Sequence, residues 1–156
     1  MKHISHYFCT ALLGTAVLTA CSGAEKVKSN TPVQITMWNY YNGAQKEEMD
    51  RLVQEFNDTV GLEQKIVVES VSKGSVSELE DAVRDSTDGK TGSDPLPDFC
   101  SAYADAAYDL WKKDKISDFR PYLTDEEYDS YISGYLEEGN FGTNAAMMIF
   151  PVAKST

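Results

Sequence analysis

Two hydrophobic periods alternate along this chain, and that alternation restricts its fold more than any other feature. The run VQITMW (Val33–Trp38) is rich in β-formers and reads as a first strand. In the following AQKEEMDRLVQEFND, Met49, Leu52, Val53 and Phe56 recur at i, i+3, i+4 and i+7 among charges, which is the pattern of an amphipathic helix. Gly61 supplies a helix stop, and QKIVVESV forms a second strand. Ser75 and Glu78 make a capping-box pattern ahead of a helix with Val76, Leu79 and Val83 on one side. DGKTGSDPLP is a loop by composition, DFCSAY a third strand and ADAAYDLWKK a third helical stretch. Thr124 and Glu127 open a further helix with Tyr128, Tyr131, Ile132, Tyr135 and Leu136 on one face. GNFGTN then turns the chain into a closing strand, AMMIF, which Pro151 ends. The order βαβαβααβ predicts an α/β fold, a mostly parallel sheet covered by helices.

A parallel sheet brings the C-terminal ends of its strands to one edge, and ligands of open α/β sheets bind just beyond that edge. Four segments are expected there: NYYNG, SKGS, ADAA and PVAKST. Tyr40, Tyr41 and Asn42 set two aromatic faces beside an amide, and Asp105 adds a carboxylate. Aromatic faces accept the apolar C–H faces of a sugar ring, while amides and carboxylates bond its hydroxyls. Each residue also has a purely structural role to weigh against this. The tyrosines can close a strand, and Asp105 can N-cap the third helix.

The N-terminal residues form an address rather than a fold. Lys2 precedes the apolar stretch YFCTALLGTAVL, which suits a secretory signal and is too short for a membrane span. The following LTAC (Leu18, Thr19, Ala20, Cys21) resembles the lipobox of bacterial lipoproteins. That resemblance implies cleavage after residue 20 and a diacylglycerol on Cys21. Two acyl chains anchor a protein durably where one does not. The segment SGAEKVKSNTP then reads as a flexible tether, residues 21–32, with a reach of about 35 Å.

Composition removes several function classes. The chain carries a net charge of −11, and losing Lys2 makes it more acidic still. Such a surface suits neither nucleic acid nor anionic lipid. Both histidines, His3 and His6, lie in the signal. The mature chain therefore offers no imidazole for a Ser-His-Asp or Cys-His mechanism or for a metal, and no cofactor is expected. With Cys9 in the signal and Cys21 acylated, Cys100 is left without a disulfide partner and reads as a small buried hydrophobe. The carboxylate pair Asp105/Asp109 and the run Asp125-Glu126-Glu127 read as solvated or capping groups, so no enzyme is expected. Gly89-Lys90-Thr91 lacks the upstream glycine of a phosphate loop, since Arg84 stands in its place.

ITMWNYYNGAQKEEMDRLVQEFNDTVG resembles the start of the sugar-type (family 1) extracellular solute-binding proteins of bacterial ABC importers, the family of maltose-binding protein. LPDFCSAYADAAYDL and IFPVAKST are similar to two further hallmarks in the same order. The resemblance implies a periplasmic-binding-protein-like (type II) N-terminal lobe over residues 33–156, with helices on both faces of the sheet and the second lobe missing beyond a hinge crossing. By the same analogy Tyr41, Asn42 and Asp105 match ligand-contacting positions and Lys154 lies near one, whereas Ala106 and Ala107 remove side-chain hydrogen bonds that relatives can make there. The implied function is non-catalytic capture of a sugar or oligosaccharide for an ABC permease, at the extracytoplasmic face of the membrane, with Cys21 in the bilayer. Only Lys73 and Lys154 lie near the site, so a small neutral carbohydrate is expected over a phosphorylated one. The alternative is a surface lipoprotein acting as a protein-binding scaffold, with the Tyr128/Tyr131/Tyr135 face engaged by a partner, or a non-functional remnant.

Overall fold

The computed structural model describes residues 31–142 and 146–152. The signal, nearly all of the tether, Cys21 and Lys154 lie outside these residues. Strand β1 (Val33–Asn39) is the centre of a three-stranded, all-parallel sheet ordered β2-β1-β3. It pairs with β2 (Ile66–Ser72) in unbroken register from Val33 opposite Ile66 to Asn39 opposite Ser72. Strand β3 (Phe99–Cys100) pairs with Met37 and Trp38 on the other side. The chain steps from β1 out to β2 and then back across β1 to β3. Crossovers between parallel strands are right-handed as a rule, and under that rule two in opposite directions put their helices on opposite faces.

The first crossover helix, α1 (Gly43–Phe56), packs along β2. Its apolar stripe is only half-buried: Met49, Val53 and Phe56 are partly covered and Leu52 is exposed. Gly61 does not stop it. The chain continues through a π-helical turn (Asn57–Gly61) and a short α2 (Leu62–Gln64) to Lys65, which takes the left-handed conformation at φ 57°. Gly61 is needed for space instead, because a Cβ there would lie 2.6 Å from the Ile66 carbonyl oxygen. Within the π turn, the Asn57 amide donates to the Val68 carbonyl and accepts from the Val68 N–H, both at 2.8 Å. It thereby satisfies the outward backbone groups of an edge strand.

Helix α3 (Val76–Thr87) begins where the sequence pattern puts it, with the Ser75 hydroxyl accepting from the Glu78 N–H. It lays Leu79 and Val83 on Trp38, and α4 (Ala104–Lys112) adds Leu110. Tyr40, Val71, Ala82, Cys100 and Ile116 surround this core. The third strand is shorter than DFCSAY, and at its start Asp98 offers its side chain to the sheet. Its Oδ2 accepts from the Thr36 N–H at 2.7 Å while its own N–H donates to the Thr36 carbonyl at 3.0 Å.

The last third departs further from expectation. The single helix predicted after Thr124 is two short ones, α5 (Asp125–Asp129) and α6 (Ser133–Glu138), broken at Ser130–Ile132. The Thr124/Glu127 capping box is complete. AMMIF forms no strand among the described residues. Met147 is buried, 1% exposed, yet its N–H donates to Asp118 Oδ1 and its carbonyl accepts from the Phe119 N–H. The Met148 N–H donates to the Gly139 carbonyl. The backbone groups that a sheet ladder would need are thus taken by local loops. No helix among the described residues is long and apolar enough to cross a membrane.

Candidate functional site

The parallel register delivers the ends of β1, β2 and β3 to one edge, and a polar lattice fixes the loops that leave it. Asn39, 1% exposed, is its hub. Its amide nitrogen donates to Ser70 Oγ at 2.9 Å and its Oδ1 accepts from the Tyr41 N–H at 3.0 Å. Ser72 Oγ donates to the Tyr41 carbonyl at 2.5 Å and accepts from the Gly74 N–H at 3.2 Å. Gly74 sits at φ 94°, where a Cβ would also strike the Glu78 carboxylate at 2.6 Å. Asn42 closes the lattice by donating from Nδ2 to the Gly74 carbonyl at 3.0 Å. A ligand hydroxyl at Asn42 would therefore meet Oδ1. Asn39 and Ser72 lie in the expected edge segments NYYNG and SKGS, but their part in holding the loops depends on which backbone lies alongside.

Three tyrosines gather beside this lattice. The Tyr40 and Tyr41 ring centroids are 5.0 Å apart with planes tilted by 55°. Tyr103 lies 6.5 Å from Tyr40 with planes only 14° apart. Tyr40 packs on the core and stacks on Tyr103. Burial first and the Tyr103 hydroxyl second raise its phenol above the ordinary range. Tyr103 was not singled out by the sequence, although LPDFCSAYADAAYDL contains it. It became visible once the β3–α4 turn placed it against Tyr40.

Asp105 occupies the first turn of α4 and is exposed. It is not the N-cap. Tyr103 holds that position, without a side-chain cap, and Asp105 Oδ1 accepts from the adjacent Ala106 N–H at 2.9 Å. Asp105 lines a groove of about 560 Å³ between α3 and α4, floored by Leu79, Val83, Cys100 and Leu110. Tyr40, Tyr41 and Asn42 do not line that groove. Ala107 is buried core, whereas Ala106 lines the groove without a polar group. Cys100 is mostly buried, and desolvation raises its thiol.

Lys73, a described cation at this edge, is already committed. Lys73 Nζ lies 3.7 Å from the Trp38 ring centroid and 2.9 Å from Asp94 Oδ2. Three of the carboxylates considered for acid–base chemistry are engaged: Asp109 with Lys112, Asp125 with Arg120, and Glu127 in its capping box. Lys90 pairs with Asp85. Among the described residues no cluster of His, Cys, Asp and Glu could hold a metal. On the Tyr128/Tyr131/Tyr135 face, Tyr128 and Tyr131 are half-buried, the first under the Arg120 guanidinium and the second against Phe150. Tyr135 is exposed, so that face is only partly core.

No family model matches the sequence. No curated protein matches it either. Solved structures do. The maltotriose-binding protein of Thermus thermophilus, bound with maltotriose, superposes with a TM-score of 0.55 at 18% identity over 73% of this chain and 28% of its own. A family 1 extracellular solute-binding protein from Bifidobacterium longum subsp. infantis gives 0.53 at 12% identity, over 76% of this chain and 27% of its own. A protein solved with mannotriose bound gives 0.52 at 18% identity, over 70% and 26%. The chain thus spans little more than a quarter of the length of these proteins. It is an α/β domain whose fold is that of part of the extracellular solute-binding proteins.

Proposed function

We propose that this chain captures a neutral carbohydrate without chemical conversion, as the substrate-binding component of a carbohydrate ABC importer. In this reading acylated Cys21 holds it on the extracytoplasmic face of a bacterial membrane, and Lys154 borders the ligand. The observation that carries the reading is the grouping of Tyr40, Tyr41 and Tyr103 at the sheet edge, beside Asn42 and near the start of α4, where Asp105 sits. Support comes from the shared fold, since two of the similar structures were solved with maltotriose or mannotriose. Oligosaccharides present both the apolar ring faces and the hydroxyls that such a surface matches.

The test is a titration of the full chain with maltotriose and mannotriose, followed by backbone amide shifts. Saturable shifts at residues 39–42 and 103–105, weakened in Tyr41→Ala and Asp105→Asn, are the expected result. Absence of any saccharide response would overturn it. Anchoring is tested separately: radiolabelled palmitate should enter the wild-type protein in a bacterial host and not the Cys21→Ala variant. A second reading, a protein-binding scaffold, is favoured by the exposure of Tyr122, Ile132 and Val152. It expects no saccharide response and shifts confined to residues 119–152 when a partner is added.

A further inference from the structure

We propose that the cleft between α5 and α6 is a ligand site of its own, one for a small organic ammonium compound such as a quaternary amine. It lies in the last third of the chain, shares no residue with the sheet-edge loops, and does not depend on the carbohydrate reading. The chain breaks at Ser130–Ile132, and residues of both helical pieces line a cavity of about 280 Å³. Its lining sets Tyr128, Tyr131 and Leu136 beside the carboxylates of Asp129 and Glu137 and the amide of Asn140. Leu136 is buried and the two tyrosines are half-buried, whereas Asp129, Glu137 and Asn140 are exposed. The cavity thus combines an aromatic, apolar floor with an anionic rim.

These two parts ask for one chemical class. Aromatic faces and carboxylates both attract positive charge. An alkylated ammonium carries that charge inside methyl or methylene groups, which pack on tyrosine and leucine while the rim feels the charge. The demand is not met from within. No Lys or Arg lines the cavity, and none occurs in the sequence from residue 121 to residue 153. Asp125 pairs with Arg120 and Glu127 closes its capping box. Asp129 and Glu137 form no ion pair among the described residues. The Arg120 guanidinium, 4.5 Å from the Tyr128 ring centroid, shows that this surface already takes a cation against an aromatic face. Tyr131 is braced by Phe150, nearly perpendicular at 5.5 Å, and its N–H donates to the Tyr128 carbonyl at 3.2 Å. Walls fixed beforehand lose little freedom when a ligand arrives. The volume is just below the usual range of drug-sized sites, which suits a ligand of few heavy atoms.

The experiment titrates the full chain, at constant ionic strength, with choline and with the uncharged alcohol in which carbon replaces the choline nitrogen. Choline should give saturable amide shifts at residues 128–140 and none at residues 39–42. The alcohol should bind about fivefold more weakly, since it keeps the shape and loses the charge. Glu137→Gln and Asp129→Asn change exposed positions and should each weaken choline about two- to fivefold. Tyr131→Phe keeps the ring and should bind as wild type does, whereas Tyr131→Leu should weaken choline about threefold, with amide spectra reporting whether the fold is retained. Equal binding of choline and the alcohol would make the cavity an unselective apolar pocket and overturn the proposal. Choline shifts that neither Glu137→Gln nor Asp129→Asn alters would overturn it too, as would the absence of saturable shifts at residues 128–140.

Discussion

At Asn57 one side chain does the work of a missing strand. Its amide makes two 2.8 Å hydrogen bonds to the Val68 backbone on the outer edge of the sheet. Replacing it with alanine leaves both groups to find water in a partly buried place, a cost of about 1–3 kcal/mol. Asn57→Ala should therefore lower the urea midpoint by a corresponding amount, with the m-value unchanged. Gly61→Ala should cost about 1–3 kcal/mol for a different reason. Its φ of −60° suits alanine, but the added Cβ would sit 2.6 Å from the Ile66 carbonyl oxygen. Crystallography of that variant should show the α2–β2 turn displaced. Cys100 adds a pH dependence. Burial raises its folded pKa above the ordinary 9.0, so its contribution to stability is complete below 9.0 and is lost as pH rises through the folded value. Urea midpoints of wild type should fall between pH 8 and pH 10 by more than those of Cys100→Ala. The residue scale was the least legible in advance: Gly61 looked like a stop, and its real task depends on what passes beside it.

Elements were legible where their signal is local. The Ser75 cap, the stripe of Leu79 and Val83, and strands β1 and β2 emerged close to expectation because capping and periodicity are written within a dozen residues. Ser75→Ala should cost about 1 kcal/mol, read as lost amide protection in the first turn of α3. In α5 the backbone and hydroxyl of Thr124 hold Glu127 below its ordinary 4.5. That cap is intact above 4.5 and is lost as pH falls through the lower folded value, so the protection of the Asp125–Asp129 amides, relative to their intrinsic exchange at the same pH, should fall below pH 4.5. Elements whose identity depends on a distant partner were not legible. AMMIF has strand composition, but a strand exists only in a ladder, and Asp118, Phe119 and Gly139 claim its backbone instead. The helix after Thr124 has helical periodicity, yet its chain breaks at Ser130–Ile132.

Among the described residues, the buried core is small for the apolar surface left in water: Val33, Leu52, Val60 and Leu62 in the first half, and Tyr122, Ile132 and Val152 in the last third. By itself the sequence determined the alternating α/β order, the parallel sheet, the strongly acidic character and the lack of imidazole beyond His6, because these rest on local periodicity and on composition. Only the tertiary structure decided that Tyr103 stands beside Tyr40, that Asn39 organises the loops, that Lys73 is committed and that the final apolar run is no strand. Each of those depends on which backbone and ring lie alongside across a gap of tens of residues, and no spacing within one segment encodes that.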